Sequence, residues 1–181
     1  MKKIQKISII GAGAIGTQTA LYLQQEAMYL QKNFLREIIL YNHNYDLAYG
    51  EASDIVDSMA FHEQFSGIEK LDCKVIPSYQ LKDIEGSDII IVAAGAAKTA
   101  LKHKNRSLEL PVTYQIAKKL AIAIKKYAKH ALVIVISNPV DLITWYIQEF
   151  SGLPKNIKVS SNEVCEAISD ILYEIIQAIK A

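Results

Sequence analysis

The chain has 181 residues, 51% of them hydrophobic and 22% charged, a composition that supports a full core and excludes a disordered chain. Its net charge of +1 leaves no basic surface to neutralise a phosphate backbone, so nucleic acid is not an expected partner. No apolar run reaches the roughly 18 residues of a membrane span, so no membrane partner is expected either.

The start, "MKKIQKISII", is basic, but Gln5 and Lys6 break its apolar run and a glycine turn follows, so it does not read as a signal peptide. Cys73 and Cys165 stand apart from each other, with neither a CxxC nor clustered histidines, and read as buried thiols; no metal site is expected. The cytoplasm is the expected compartment.

From there, short apolar runs alternate with helical patterns, which predicts βαβ units around a parallel sheet. A strand at Ile7–Ile10 leads through glycines into a helix over Ile15–Ala27. A second strand, Ile38–Tyr41, precedes a helix over Tyr45–Ala60. Strands follow at Lys74–Ile76 and Ile89–Ala93, then a helix over Ser107–Ala128, a strand at Leu132–Ser137 and a helix over Val140–Phe150. Last come a short strand at Lys158–Ser160 and a helix over Glu163–Lys180, whose apolar residues recur at helical spacing. Unbroken Ile/Val/Leu runs suit strands buried on both faces. The fold class is therefore α/β, a doubly wound parallel sheet with a C-terminal helix. Residues 1–160 are expected to form a dinucleotide-binding domain and 161–181 the last helix. Lysines 118, 119, 125, 126 and 129 read as the solvated side of the Ser107–Ala128 helix, favourable to its C-terminal dipole.

The turn "GAGAIG" carries Gly11, Gly13 and Gly16 in G-x-G-x-x-G spacing, after a strand and at the opening of a helix. In that context the first glycine permits the tight turn. The second lets backbone approach a pyrophosphate, and the third lets helix and strand pack closely. The helix start then offers unpaired N–H groups and partial positive charge to the phosphates. The second strand should end in an acid that binds the adenosine ribose, yet Asn42 stands there with His43 beside it. An amide still hydrogen-bonds a ribose hydroxyl. It lacks a carboxylate's repulsion of a 2′-phosphate, so NAD is the better match and NADP is less firmly excluded.

Three further stretches narrow the reading: "YGEASDI" (Tyr49–Ile55), "GSDIIIVAAGAAK" (Gly86–Lys98) and "VIVISNPVDLIT" (Val133–Thr144). With the glycine turn, this ordered set resembles the lactate/malate dehydrogenase family over about residues 6 to 160. Within that family it is most similar to the branch acting on L-lactate and bulkier L-2-hydroxy acids such as 2-hydroxyisocaproate. The resemblance implies a Rossmann, NAD-binding domain in an oxidoreductase that moves hydride between nicotinamide and a 2-oxo or 2-hydroxy acid. It implies that Gly11, Gly13, Ala14, Ile15 and Gly16 wrap the pyrophosphate, with Asn42 at the ribose. Ala94, Gly95 and Ala96 would line the adenosine-side ribose and phosphate path. Ile136, Ser137 and Asn138 would meet the nicotinamide half, with Asn138 also reaching substrate. Arg106, in "KHKNRSLEL", matches the family's mobile-loop arginine that polarises the reacting carbonyl, where a guanidinium stabilises charge developing on oxygen. The resemblance also implies a homo-oligomer, dimer or tetramer.

Two parts of the family's chemistry do not occur in this sequence. The family supplies its proton from a histidine in a Gly-rich loop, oriented by an aspartate, and clamps the substrate carboxylate with an arginine in an Asp-x-x-Arg motif. The only arginines here are Arg36 and Arg106, and Arg36 precedes the second strand, away from the carboxyl ends where ligands bind. Of the histidines, His43 lies near the adenosine side, His62 ends a helix, His130 precedes a strand, and His103 reads as a solvated residue of the mobile loop. After "NIKVSS" the chain runs directly into a helix resembling a remnant of the family's substrate domain. Turnover is therefore expected to be impaired, with an NAD(H)-binding module as the alternative. "YQIAK" (Tyr114–Lys118) matches a Tyr-x-x-x-Lys pair, but the glycine spacing belongs to a different dehydrogenase class.

Overall fold

A computed structural model describes residues 4–29, 35–66, 73–95 and 109–153. In chain order these form β1 (Lys6–Ile10), α1 (Ala14–Tyr29), β2 (Glu37–Tyr41), α2 (Tyr45–Ser66) and β3 (Lys74–Ser78). A 3-10 turn (Leu81–Ile84) follows, then β4 (Ile89–Val92), α3 (Glu109–Tyr127), β5 (Leu132–Val135) and α4 (Val140–Ser151). The five strands are all parallel, in the order β3-β2-β1-β4-β5. Chain order reverses beside β1, and in such sheets ligands bind in the crevice outside the carboxyl ends at that reversal.

Register explains why the strand interiors are so largely apolar. Leu40, Ile9, Ile91 and Ile134 lie in one row across the sheet and share one core. Helices α1 and α2 cover that face with Ala20, Leu23 and Ala27 and with Ala48, Ala52 and Ile55, each set at spacings of three and four. The next row, Ile10, Val92 and Val135, belongs to the opposite core. There Ala117, Leu120 and Ile124 of α3 meet Ile143 and Ile147 of α4. Both faces are buried, so alternation would leave polar groups in a core. Ser8, in the middle of β1, is buried and polar, and its hydroxyl pairs with that of Ser87 at 2.6 Å.

The expected strands and helices within the described residues are all present, with shifted ends. β3 continues past Ile76 to Ser78, including Pro77, because it is an edge strand where a missing N–H leaves no ladder gap. α2 runs to Ser66 instead of ending at Ala60. β5 stops at Val135, although the Ile136 N–H still donates to the Val92 carbonyl at 3.0 Å. The first two residues expected in the α3 helix, the strand at Lys158–Ser160 and the helix at Glu163–Lys180 lie outside the described residues, as does Cys165. Cys73 is buried, and its carbonyl accepts from Gln24 Nε2 at 3.1 Å, tying α1 to the start of β3.

Candidate functional site: a crevice at the carboxyl edge of the sheet

Three loops converge beyond the carboxyl ends of β1, β4 and β5. The β1 loop begins at Gly11, whose φ of 118° lies in a region that L side chains rarely adopt. The Gly11 N–H donates to the Tyr41 carbonyl at 2.8 Å, and a Cβ here would lie 2.7 Å from the Ala94 amide nitrogen. A Cβ at Gly16 would collide with the Gly11 carbonyl oxygen. These two glycines are therefore required by the chain's own packing. Gly13 differs, since a Cβ there would meet nothing within 4 Å. It stands exposed with Ala14 and Ile15, the latter 61% exposed, on an open rim.

That rim is the start of α1. The first bond back along the helix runs from the Thr17 N–H to the Gly13 carbonyl at 2.9 Å, and the amides before it lack intrahelical partners. The first turn of α1 carries no acidic side chain, so its positive end is not neutralised from within. Unpartnered amides, positive potential and space where a side chain would stand make a cradle for a diphosphate. The residues present thus fit the phosphates of a dinucleotide.

The β4 and β5 loops form the other wall. Ala94 is half-buried and Gly95 exposed, and a Cβ at Gly95 would approach Ser137 Cβ at 3.8 Å and the Asn138 carbonyl at 3.9 Å. Ser137 is only 6% exposed, and its hydroxyl donates to the Val92 carbonyl at 3.1 Å, which fixes the strand end. Ile136 is buried in the core shared by α1 and α2. Asn138 is exposed, and its peptide bond to Pro139 is cis. Gly11, Ala94, Gly95, Ser137 and Asn138 are thus brought to one crevice. Arg106 and Ala96 lie outside the described residues.

At the β2 end, Asn42 is half-buried and its N–H donates to the Ser78 carbonyl at 2.9 Å. Its Oδ1 accepts the Asn44 N–H at 3.0 Å, and Asn44 Oδ1 in turn accepts the Asp46 N–H at 3.0 Å, capping α2. Burial holds the Tyr41 phenol above its ordinary pKa, so it stays neutral at physiological pH. Sequence reasoning passed over the neighbouring tyrosines: Tyr45, opening α2, meets Tyr79, just after β3, edge to face at 5.6 Å between ring centres. The available signal was an aromatic immediately beyond each of two adjacent strand or loop ends. His43 is exposed beside Asn42, whereas His130 is exposed at the opposite, amino edge before β5. Arg36 is also at the amino edge, its N–H donating to the Gln5 carbonyl at 2.8 Å.

Comparison with known proteins agrees with this geometry. Residues 5–160 match the family model described as lactate/malate dehydrogenase, NAD binding domain. The chain is 36% identical over 167 residues to L-lactate dehydrogenase 1 of Clostridium acetobutylicum, covering 92% of this chain and 48% of that protein. It is 32% identical over 167 residues to a malate dehydrogenase of Ehrlichia chaffeensis, with the same coverage of 92% and 48%. Among solved structures it superposes on the NADH complex of malate dehydrogenase from Archaeoglobus fulgidus with a TM-score of 0.69 at 28% identity, covering 84% of this chain and 47% of that one. Lactate dehydrogenase from Eimeria maxima with NADH and oxamate gives a TM-score of 0.67 at 26% identity, covering 86% and 42%. The chain spans about half the length of the curated relatives it matches. A glycine cradle at the central strand of a 3-2-1-4-5 sheet, joined to these matches, places the chain in the lactate/malate dehydrogenase family as its Rossmann NAD-binding domain.

Proposed function

We propose that this chain is the cofactor-holding part of an NAD-dependent L-2-hydroxy acid dehydrogenase acting on lactate-like substrates. The observation that carries the reading is the contrast between the open Gly13 and the tightly packed Gly11 and Gly16 at an acid-free helix start. Gly13, Ala14 and Ile15 hold the diphosphate, Asn42 the adenosine ribose, and Ala94, Gly95 and Ala96 the path between them. Ile136 and Ser137 support the nicotinamide side, where Asn138 orients the cofactor amide and reaches the substrate. Bound NAD supplies or accepts the hydride. Arg106 stabilises negative charge on the substrate oxygen as that hydride moves. A homodimer or homotetramer is the assembly that goes with this family.

A second reading, an NAD(H)-binding module without turnover, is favoured by one observation. Reduction of a 2-oxo acid needs a carboxylate clamp beside the carbonyl-polarising group. With Arg106 in the polarising role, the remaining arginine is Arg36, at the opposite edge of the sheet. A single titration separates the readings: NADH fluorescence on adding protein, then on adding pyruvate or 2-oxoisocaproate. Enhancement followed by decay establishes the dehydrogenase. Enhancement without decay establishes the binding module, and no response to NADH overturns both.

A further inference from the structure

We propose that this domain accepts NADPH about as readily as NADH, because Asn42 presents the adenosine ribose with a neutral hydrogen-bond donor instead of a carboxylate. The inference rests on the cofactor reading above and concerns the ribose end of that site. Asn42 directly follows Tyr41, the last residue of the second strand, at the position from which an acid grips the 2′-hydroxyl in NAD-selective sites of this fold. Two contacts hold it. Its N–H is bound to the Ser78 carbonyl, and its Oδ1 receives the Asn44 N–H at 3.0 Å.

The second contact decides the chemistry. With the carbonyl end of the amide turned to its own backbone, the amino end is the group left for a ligand. An N–H donates equally well to a ribose hydroxyl oxygen and to a phosphate oxygen. A carboxylate could only accept, and its charge would oppose a 2′-phosphate.

His43 is exposed beside Asn42, and α2 begins three residues on, with Asp46 in its first turn offsetting its positive end. Among the carboxylates on the flanking elements, Asp83 accepts the Ser78 hydroxyl at 2.7 Å and Asp46 is exposed in the first turn of α2. Neither occupies the strand-end position.

The test measures dissociation constants of the intact chain for NADH and for NADPH by cofactor fluorescence and by calorimetry, in the wild type and in Asn42→Asp. The aspartate is isosteric and keeps an acceptor for the Asn44 N–H, so the local turn survives. The expected wild-type constants lie within about tenfold of each other, and Asn42→Asp weakens NADPH relative to NADH by about tenfold or more, the scale of one unit-charge repulsion near a protein surface. Wild-type binding of NADH with NADPH weaker by about 100-fold or more overturns the proposal while leaving the cofactor reading intact. So does an unchanged ratio in Asn42→Asp. Failure of the wild type to bind either dinucleotide overturns the cofactor reading itself. The wild-type ratio decides the matter even if the variant does not fold.

Discussion

Gly13→Val separates cofactor binding from folding, which few glycine substitutions do. A side chain at this position meets no atom of the chain within 4 Å, so the folded protein has room for it. The residue precedes the first turn of α1, where exchanging glycine for an apolar residue costs up to about 1 kcal/mol. For a chain of this size that lowers Tm by about 2 to 4 °C. The diphosphate fares worse, because the isopropyl group fills the space through which it reaches the helix amides. Losing one charge-assisted hydrogen bond costs about 1.5 to 3 kcal/mol, a drop in NADH affinity of about 10- to 150-fold. Thermal melting by circular dichroism and NADH fluorescence titration on the same preparation read the two effects. Gly16→Val serves as the contrast, since its side chain collides with the Gly11 carbonyl and the fold itself should fail. Wild-type NADH affinity in a folded Gly13→Val protein would refute the cradle, and its loss of fold would refute the open space.

Three other outcomes follow from particular contacts. Ser8→Ala leaves the Ser87 hydroxyl buried without its 2.6 Å partner and should cost about 1 to 3 kcal/mol by urea denaturation; Ser8→Ala/Ser87→Ala should recover most of that, and additive losses would show the pair is not coupled. Burial raises the Tyr41 pKa in the folded state, so its contribution to stability is fully present below the unfolded tyrosine value of about 10 and is lost as pH rises from there through the higher folded value. Tyr41→Phe should flatten that alkaline decline in melts between neutral and high pH, and an unchanged slope would count against the assignment. Any decay of NADH fluorescence on adding pyruvate should vanish in Arg106→Ala at unaltered NADH affinity, and persistent decay would remove Arg106 from the chemistry.

Much of the fold is legible along the chain because the strands are buried on both sides. Runs such as Ile89–Val92 need no partner to be recognised, and the glycine spacing marks the central strand and the first helix together. What stays hidden depends on neighbours distant in sequence. Pro77 would end an interior strand, and only its place at the sheet edge lets β3 continue through it. Ser8 reads as a polar flaw in "KISII" until Ser87, 79 residues away, is seen to satisfy it. Spacing suggests the three glycine roles, but only the packing shows that Gly11 and Gly16 are demanded by the chain itself while Gly13 faces open space. Asn42 reads as a missing acid, while the Asn44 N–H that turns its amide is a local contact composition does not reveal.

Pro77 has a consequence for how such sheets meet one another. The outermost ladder of an open sheet is a template on which a foreign strand can dock, and it is where misassembly begins. β3 is the margin of the described sheet on that flank, and its imino acid leaves one rung with no hydrogen to share. Lateral growth by strand-by-strand recruitment between copies of this protein is therefore interrupted at the β3 flank.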